Sequence, residues 1–126
     1  MDYPHDKLPA IRVFAMPADT NSRGDIFGGW LMSQVDLAGS VAAFKKANGR
    51  VATVAVNNFQ FIKPVFVGDL VSLFSEVTRI GNTSIQVSVQ AFSERVLKGN
   101  EIIHVAEATL TYVAIDNDRR PRPVAE

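Results

Sequence analysis

One carboxylate, that of Asp36, lies inside a run of apolar and small residues that extends from Phe27 to Phe44. The apolar positions of this run do not keep to one stripe at about 100° per residue, which indicates a helix buried on most sides. A carboxylate in such surroundings must be paired, protonated or used, because leaving it charged and alone costs several kcal/mol. Asp36 is therefore a candidate general base or nucleophile. The alternative is a structural acid that accepts hydrogen bonds from a neighbouring hydroxyl or caps a loop.

Two adjacent glycines, Gly28 and Gly29, stand where this helix is predicted to begin. The first backbone N–H groups of a helix have no partner within it, and the absence of side chains lets an oxygen approach them closely. The pair is therefore suited to hold a carbonyl oxygen through backbone amides. It fits an ordinary turn into the helix equally well.

Composition excludes several classes of protein. The chain has 126 residues, of which 47% are apolar and 21% charged, and its formal net charge is zero. We expect one domain over residues 1–126 with loose tails at 1–7 and 117–126, and no nucleic-acid partner. The lack of cysteine excludes disulfides and cysteine-liganded metals, and the two scattered histidines predict no metal site. The first residues form no secretory leader and the apolar run is too short to cross a bilayer, so we expect no membrane partner and a cytoplasmic location.

The elements that must position these residues follow from the spacing of apolar, glycine and proline residues. A first strand is expected within 8–16, then a loop over 17–25 and a helix that ends near Ala47 at Asn48–Gly49. Strand patterns follow at 51–56, 59–64, 70–80, 84–94 and 101–115, with a short hairpin turn at 81–83. A single helix cannot cover both faces of a five-stranded sheet, so the sheet must curl around it. This pattern predicts an α+β fold with mainly antiparallel strands. The sheet face that points away from the helix must be exposed to solvent or covered by a partner.

Four segments, at 15–21, 24–30, 34–36 and 61–69, together resemble the hotdog-fold acyl-CoA thioesterases, most of all the YciA-like bacterial acyl-CoA hydrolases. The resemblance extends over roughly 11–122, and the segments have the order and spacing of that family. It implies one long central helix wrapped by a five-stranded antiparallel sheet. It also implies an acyl-CoA substrate, dimers with their sheets side by side, and assembly of those dimers into hexamers.

The same resemblance implies a role for each site residue. Asp36 would be the base or nucleophile, and the amide of Gly28, then that of Gly29, would form the oxyanion hole. Asn21 would be a side-chain donor that faces the aspartate of the other protomer, although a lone asparagine in such a loop is more often a turn residue. No cofactor would be required.

The coenzyme A moiety of the substrate is expected at Lys63–Pro64 and at the hairpin that begins with Arg79. Lys63 and Arg79 offer charge for phosphates, and the hairpin offers amides and hydroxyls. Related sequences often carry an arginine in place of Asn82, and a tail arginine such as Arg120 would then replace it. The alternative for each is a solvated surface residue. The candidate set is Lys63, Pro64, Arg79, Gly81, Asn82, Thr83, Ser84 and Arg120.

Three functions are compatible with this sequence. The first is hydrolysis of acyl-CoA thioesters. The second is a hydratase or dehydratase of acyl thioesters, which ranks low because the predicted site loop and helix contain no histidine. The third is a non-catalytic regulatory domain that binds CoA esters.

Overall fold

The computed structural model describes residues 2–124, which form one long helix and five strands. The helix α1 spans Gly28–Ala47, and two 3-10 turns lie at Pro17–Asp19 and Val96–Lys98. The strands are β1 (Ile11–Phe14), β2 (Val51–Phe61), β3 (Leu70–Ile80), β4 (Ser84–Arg95) and β5 (Glu101–Ala114).

The strands form a single sheet in the order β1-β3-β4-β5-β2, and every neighbouring pair is antiparallel. α1 packs against all five strands. Val35 and Ala38 of the helix are fully buried in one core with Val87 and Val89 of β4 and Leu110 of β5. The predicted α+β architecture, a curled sheet around one helix, is confirmed.

The helix ends where the sequence predicted. Asn48 takes up the left-handed conformation (φ 52°), which L residues other than asparagine and aspartate rarely adopt, and its N–H donates to the Phe44 carbonyl. Lys45 and Lys46 place positive charge in the last turn, where it favours the negative end of the helix dipole. No helix within residues 2–124 is long and apolar enough to cross a membrane.

The expected burial of α1 on most sides is wrong for a single chain. The side chains of Met32, Leu37 and Phe44 are 40%, 54% and 55% exposed. The reason is geometric, because a sheet that curls around the helix covers one side of it and leaves the opposite side open. One protomer therefore presents an apolar helix face to solvent.

Two strands differ from their predicted limits. β1 is only four residues long, and β2 is one strand instead of two short ones. Asn57 and Asn58, which separate the two predicted strands, lie at an irregularity in the β2–β5 register, and Asn58 has a positive φ of 51°. A second irregularity lies between Thr53 and Ala55. β2 forms one edge of the sheet and pairs with β5 alone.

The N-terminal arm, predicted to be loose, contacts the outer face of the sheet over its described residues. The Tyr3 ring makes edge contacts with Phe74 and Phe92, at centroid distances of 5.2 and 5.4 Å. His104 also contacts the Phe92 ring, at a centroid distance of 5.0 Å, and its Nε2 is 2.8 Å from Oε1 of Gln90. Aromatic surface on the sheet therefore gives the arm a place to pack.

The C-terminal tail also differs from its predicted looseness as far as Val124. The Arg122 Nη2 donates to the Ala47 carbonyl at 2.7 Å and so satisfies an open carbonyl in the last turn of α1. The Val124 side chain is buried, and its N–H donates to the Asn82 carbonyl at 2.9 Å. Residues 1, 125 and 126 lie outside the described part of the chain.

Candidate active site

Asp36 is half-buried in the middle of α1, on the side that faces β2 and β5. Thr53 on β2 donates its hydroxyl to Asp36 Oδ1 at 2.7 Å. Tyr112 on β5 donates to the Asp36 main-chain oxygen at 2.8 Å and to the same Oδ1 at 3.1 Å. Asp36 Oδ2 accepts no hydrogen bond from residues 2–124. The carboxylate is thus held by one oxygen while the other stays open.

Neither hydroxyl was found from the sequence. Thr53 and Tyr112 lie 17 and 76 positions from Asp36, so only the folded sheet brings them to the helix. The pKa of Tyr112 is raised, first by burial and then by the negative charge of Asp36. Tyr112 therefore stays a protonated donor at any physiological pH.

Gly28 and Gly29 occupy the first two positions of α1, and Phe27 before them provides no side-chain cap. The α1 start opens on a cleft of about 190 Å³ that is also lined by Phe61, Lys63 and Pro64. A Cβ atom on Gly28 would lie 3.2 Å from the Phe61 ring, whereas one on Gly29 would meet nothing within 4 Å. The first helical N–H groups have no partner inside a helix, so this end of α1 can stabilise a developing oxyanion.

Asn21 is a turn residue in this structure. Its Oδ1 accepts the N–H groups of Arg23 at 2.9 Å and Asp25 at 3.2 Å, and its own N–H donates to the Asp25 carbonyl at 2.7 Å. Its Nδ2 has no partner among residues 2–124. Because the oxygen is committed to the turn, the amide nitrogen is the part of Asn21 that is left to donate to a ligand.

The predicted acid and the predicted oxyanion hole are not adjacent within one chain. Asp36 follows Gly28 by a little over two helical turns. At the usual rise of a helix this separates the two residues by about 12 Å along the axis of α1. The amide of Gly28 and the carboxylate of Asp36 in one protomer therefore cannot both contact a single reacting carbonyl group.

The candidate CoA-binding residues are likewise divided between the two ends of α1. Lys63 and Pro64 line the cleft at the N-terminal end. The 81–84 turn joins β3 to β4 near the other end, beside a cleft of about 740 Å³ lined by Lys46, Arg50 and Arg122. Arg79 and Arg120 are exposed. A helix of 20 residues is roughly 30 Å long, so one chain does not bring the two groups together.

A largely buried arginine, Arg95, holds the loop that carries Lys63 and Pro64. The Arg95 Nη2 donates to the Pro64 carbonyl at 2.9 Å, and its Nε lies 3.3 Å from both carboxylate oxygens of Asp69. Its guanidinium also stacks over the Phe66 ring at 4.6 Å. Asp69 Oδ2 in turn accepts the Phe66 N–H at 3.0 Å. Arg95, near the end of β4, thereby fixes one wall of the cleft at the helix start.

Replacing Arg95 with methionine is expected to lower the free energy of unfolding by about 3–5 kcal/mol, because it leaves the Asp69 carboxylate buried without its charge partner. The Asp69 and Arg95 side chains are only 5% and 14% exposed. The matched control is Lys7→Met, which removes the exposed pair between Lys7 and Glu76 and should cost less than about 1 kcal/mol. Urea unfolding followed by circular dichroism at one fixed protein concentration measures both. Equal losses for the two variants would contradict the expectation.

The fold and the site define a class of protein. A five-stranded antiparallel sheet wraps one long helix, which begins with two glycines and carries an aspartate in its middle. This arrangement is expected of hotdog-fold thioesterases. Residues 23–99 match the family described as the Thioesterase superfamily. The chain belongs to this family.

Individual relatives agree with that assignment. The chain is 44% identical over 116 residues to the acyl-CoA thioester hydrolase YciA of Salmonella typhimurium, a match that covers 90% of this chain and 87% of that protein. It superposes on the crystal structure of Cj0915, a hexameric hotdog fold thioesterase of Campylobacter jejuni, with a TM-score of 0.91 and 41% identity, over 96% of this chain and 92% of that one. The predicted resemblance to hotdog-fold acyl-CoA thioester hydrolases is confirmed.

A third relative is known with ligands. The acyl-CoA hydrolase from Staphylococcus aureus, solved in complex with butyryl coenzyme A, coenzyme A and coenzyme A disulfide, superposes with a TM-score of 0.82 and 31% identity, over 90% of this chain and 68% of that one. The same enzyme has been solved with one aspartate, and separately with one asparagine, changed to alanine.

Within residues 2–124 of the present chain, no group of three or more His, Cys, Asp or Glu residues could hold a metal ion.

Proposed function

We propose that this protein hydrolyses acyl-CoA thioesters to a free acid and coenzyme A, with Asp36 as the base or nucleophile. The observation that carries the proposal is the state of the Asp36 carboxylate, which is held at Oδ1 by two hydroxyls and open at Oδ2. Membership of the thioesterase superfamily and the 44% identity to an acyl-CoA thioester hydrolase support the substrate class.

Two chemical routes to hydrolysis can use the open oxygen, Oδ2. In one, Oδ2 takes a proton from water as the water oxygen attacks the thioester carbonyl. In the other, Oδ2 itself attacks the carbonyl, and water then hydrolyses the resulting anhydride. Each route passes through a tetrahedral oxyanion, breaks the carbon–sulfur bond and releases coenzyme A as a thiolate that takes up a proton. In each, the oxyanion is stabilised by the amide of Gly28, with Gly29 beside it, and the free Nδ2 of Asn21 orients the water or the carbonyl.

We further propose that each site is shared between two protomers. Asp36 and Gly28 are about 12 Å apart along one helix, so the acid of one chain must work with the amide and Asn21 of another. Thr53, which holds Asp36, lies on β2, and the outer edge of β2 is unpaired within the sheet of one chain. Pairing through this edge gives a dimer that places the partner beside Asp36. The C. jejuni relative is hexameric, which supports assembly as a trimer of dimers.

A shared site also accounts for the divided CoA-binding residues. In the proposed dimer, Lys63 and Pro64 of one chain and the 79–84 hairpin of another line the path of one coenzyme A molecule, with Arg120 near its phosphates. The required charge comes from the protein, so the proposal includes no cofactor beyond the substrate's own coenzyme A. The cytoplasmic location stays a prediction from the sequence.

A thiol-release assay over acyl-CoA substrates from short to long chains tests the proposed activity. Hydrolysis releases one thiol for each ester consumed, whereas a hydratase changes the acyl chain and releases none. A regulatory domain would bind the ester, as measured by calorimetry, without turnover. Binding without thiol release across the whole panel would overturn the proposal in favour of the regulatory domain.

A further inference from the structure

We propose that Tyr112 is a positioning residue that aims the Asp36 carboxylate, and that Gly39 is the opening in the helix that admits the Tyr112 hydroxyl. The inference rests on the proposed function, because it assigns Tyr112 to the orientation of the acting acid. Tyr112 would not touch the substrate.

The Tyr112 hydroxyl binds two parts of Asp36 at once. It reaches from β5 to the main-chain oxygen at 2.8 Å and to Oδ1 at 3.1 Å, so it fixes the side chain relative to the helix backbone. Tyr112 is fully buried, which leaves its ring no freedom to follow a moving carboxylate. The hydroxyls of Tyr112 and Thr53 both donate to Oδ1. Rotation of the carboxylate away from this orientation would break these two hydrogen bonds.

Gly39 provides the space that this contact needs. A Cβ atom at position 39 would overlap the Tyr112 hydroxyl oxygen and lie 3.1 Å from Cζ of the ring. Glycine in the middle of a helix is less favourable than alanine, and the flanking buried position is Ala38. A phenylalanine at position 112 would remove only the overlap with the hydroxyl oxygen, because Cζ and Cε1 of the ring would still lie 3.1 and 3.2 Å from a Cβ atom at position 39. The glycine therefore makes room for the ring edge as well as for the hydroxyl, and the hydroxyl oxygen is much the closest of these atoms.

Tyr112→Phe tests the inference with the loss of a single oxygen atom. We expect kcat to fall by about 10-fold to 100-fold, as is typical when a partner behind an acting group is removed, while KM changes by less than about twofold. The matched control is Tyr3→Phe, the other tyrosine of the chain, which lies on the outer sheet face and should leave both constants unchanged. A Tyr112→Phe variant that keeps wild-type kcat overturns the inference.

Gly39→Ala provides the second test, because its methyl group displaces the Tyr112 hydroxyl without changing the tyrosine. We expect it to lose kcat to the same extent as Tyr112→Phe. In the Tyr112→Phe background, Gly39→Ala should lower kcat much less than it does in the wild type, since the hydroxyl contact that it displaces is already gone. Additive losses would overturn the link between the two residues.

A crystal structure of Tyr112→Phe separates this inference from the proposed function. It shows the carboxylate orientation directly, and a rotated or disordered carboxylate at Asp36 is the expected result even if the wild type turns over no tested ester. A carboxylate with unchanged orientation overturns the inference. Absence of thiol release by the wild type, in contrast, counts against the proposed function alone.

Discussion

Asp36→Asn should lower kcat by about 10²–10⁴-fold, the range typical of a lost general base, while the fold stays intact. An asparagine keeps an oxygen at the Oδ1 position to accept the Thr53 and Tyr112 hydroxyls. Only the open Oδ2 is exchanged, for an amide nitrogen that can neither accept a proton nor attack a carbonyl. Because packing and the two hydrogen bonds survive, the melting temperature should stay the same or rise slightly. Steady-state thiol release and thermal unfolding measure the two quantities.

Asp6→Asn is the control for this variant, because Asp6 is an exposed carboxylate in the N-terminal arm. Its kcat should equal that of the wild type. If Asp36→Asn kept near-wild-type kcat, the chemistry would belong to another residue. A large fall in melting temperature would show instead that Asp36 is mainly a structural acid.

Mixed dimers that carry one lesion in each chain should regain activity that neither parent has. The first chain carries Asp36→Asn, and the second carries Asn21→Asp, which keeps the turn-forming oxygen of Asn21, removes the Nδ2 donor and adds a negative charge in its place. If Asp36 works with Asn21 of the partner, both lesions fall in one site of the mixed dimer and the other site is intact. Such a dimer should recover about half of wild-type turnover, provided that its sites are independent. A random mixture of chains should recover about a quarter.

The pair Asp36→Asn and Thr53→Val is the matched control for this experiment. Thr53 donates to Asp36 of its own chain, so these two lesions belong to the same half of a site and every site in the mixed dimer is damaged. This pair should show at most half of the turnover of the Thr53→Val protein and no recovery beyond that. Co-expression with two affinity tags and purification through both isolates the mixed species. Absence of recovery in a folded Asp36→Asn and Asn21→Asp mixture would rule out the shared site and would leave the role of Asp36 untouched.

The local chain pattern was sufficient to predict much of the fold. Asn48–Gly49 after two lysines marked the end of α1, and the glycine at 81 marked the turn between β3 and β4, because these residues favour their conformations whatever the tertiary context. The exposed face of α1 could not be predicted in the same way. The apolar pattern indicates that a residue favours burial, and it does not indicate whether the chain's own sheet reaches far enough to cover it.

The site was predictable only in part, for a related reason. Asp36 stood out because a charge in an apolar helix is locally anomalous. Thr53 and Tyr112 are ordinary residues of their strands, and their role depends on the β2–β5 pairing that brings both beside the helix. The division of the candidate CoA-binding residues between the two ends of α1 is equally invisible in the sequence, since it follows from where the strands cross the helix.

The strand order also determines when the protein can fold during synthesis. β2 pairs only with β5, and residues 62–114 must be added after β2 is complete before β5 is available. At a synthesis rate of about 5–20 residues per second, this takes roughly 3–10 s. During that interval the nascent chain carries α1 and an unpaired β2 with Val54 and Val56 on its surface, two side chains that stay 57% and 43% exposed even in the finished protomer. The cap of α1 comes later still, because Arg122 reaches back 75 positions to Ala47. The β2–β5 pairing and the cap of α1 are therefore late events in the synthesis of this domain, and β2 stays without its partner strand while residues 62–114 are added.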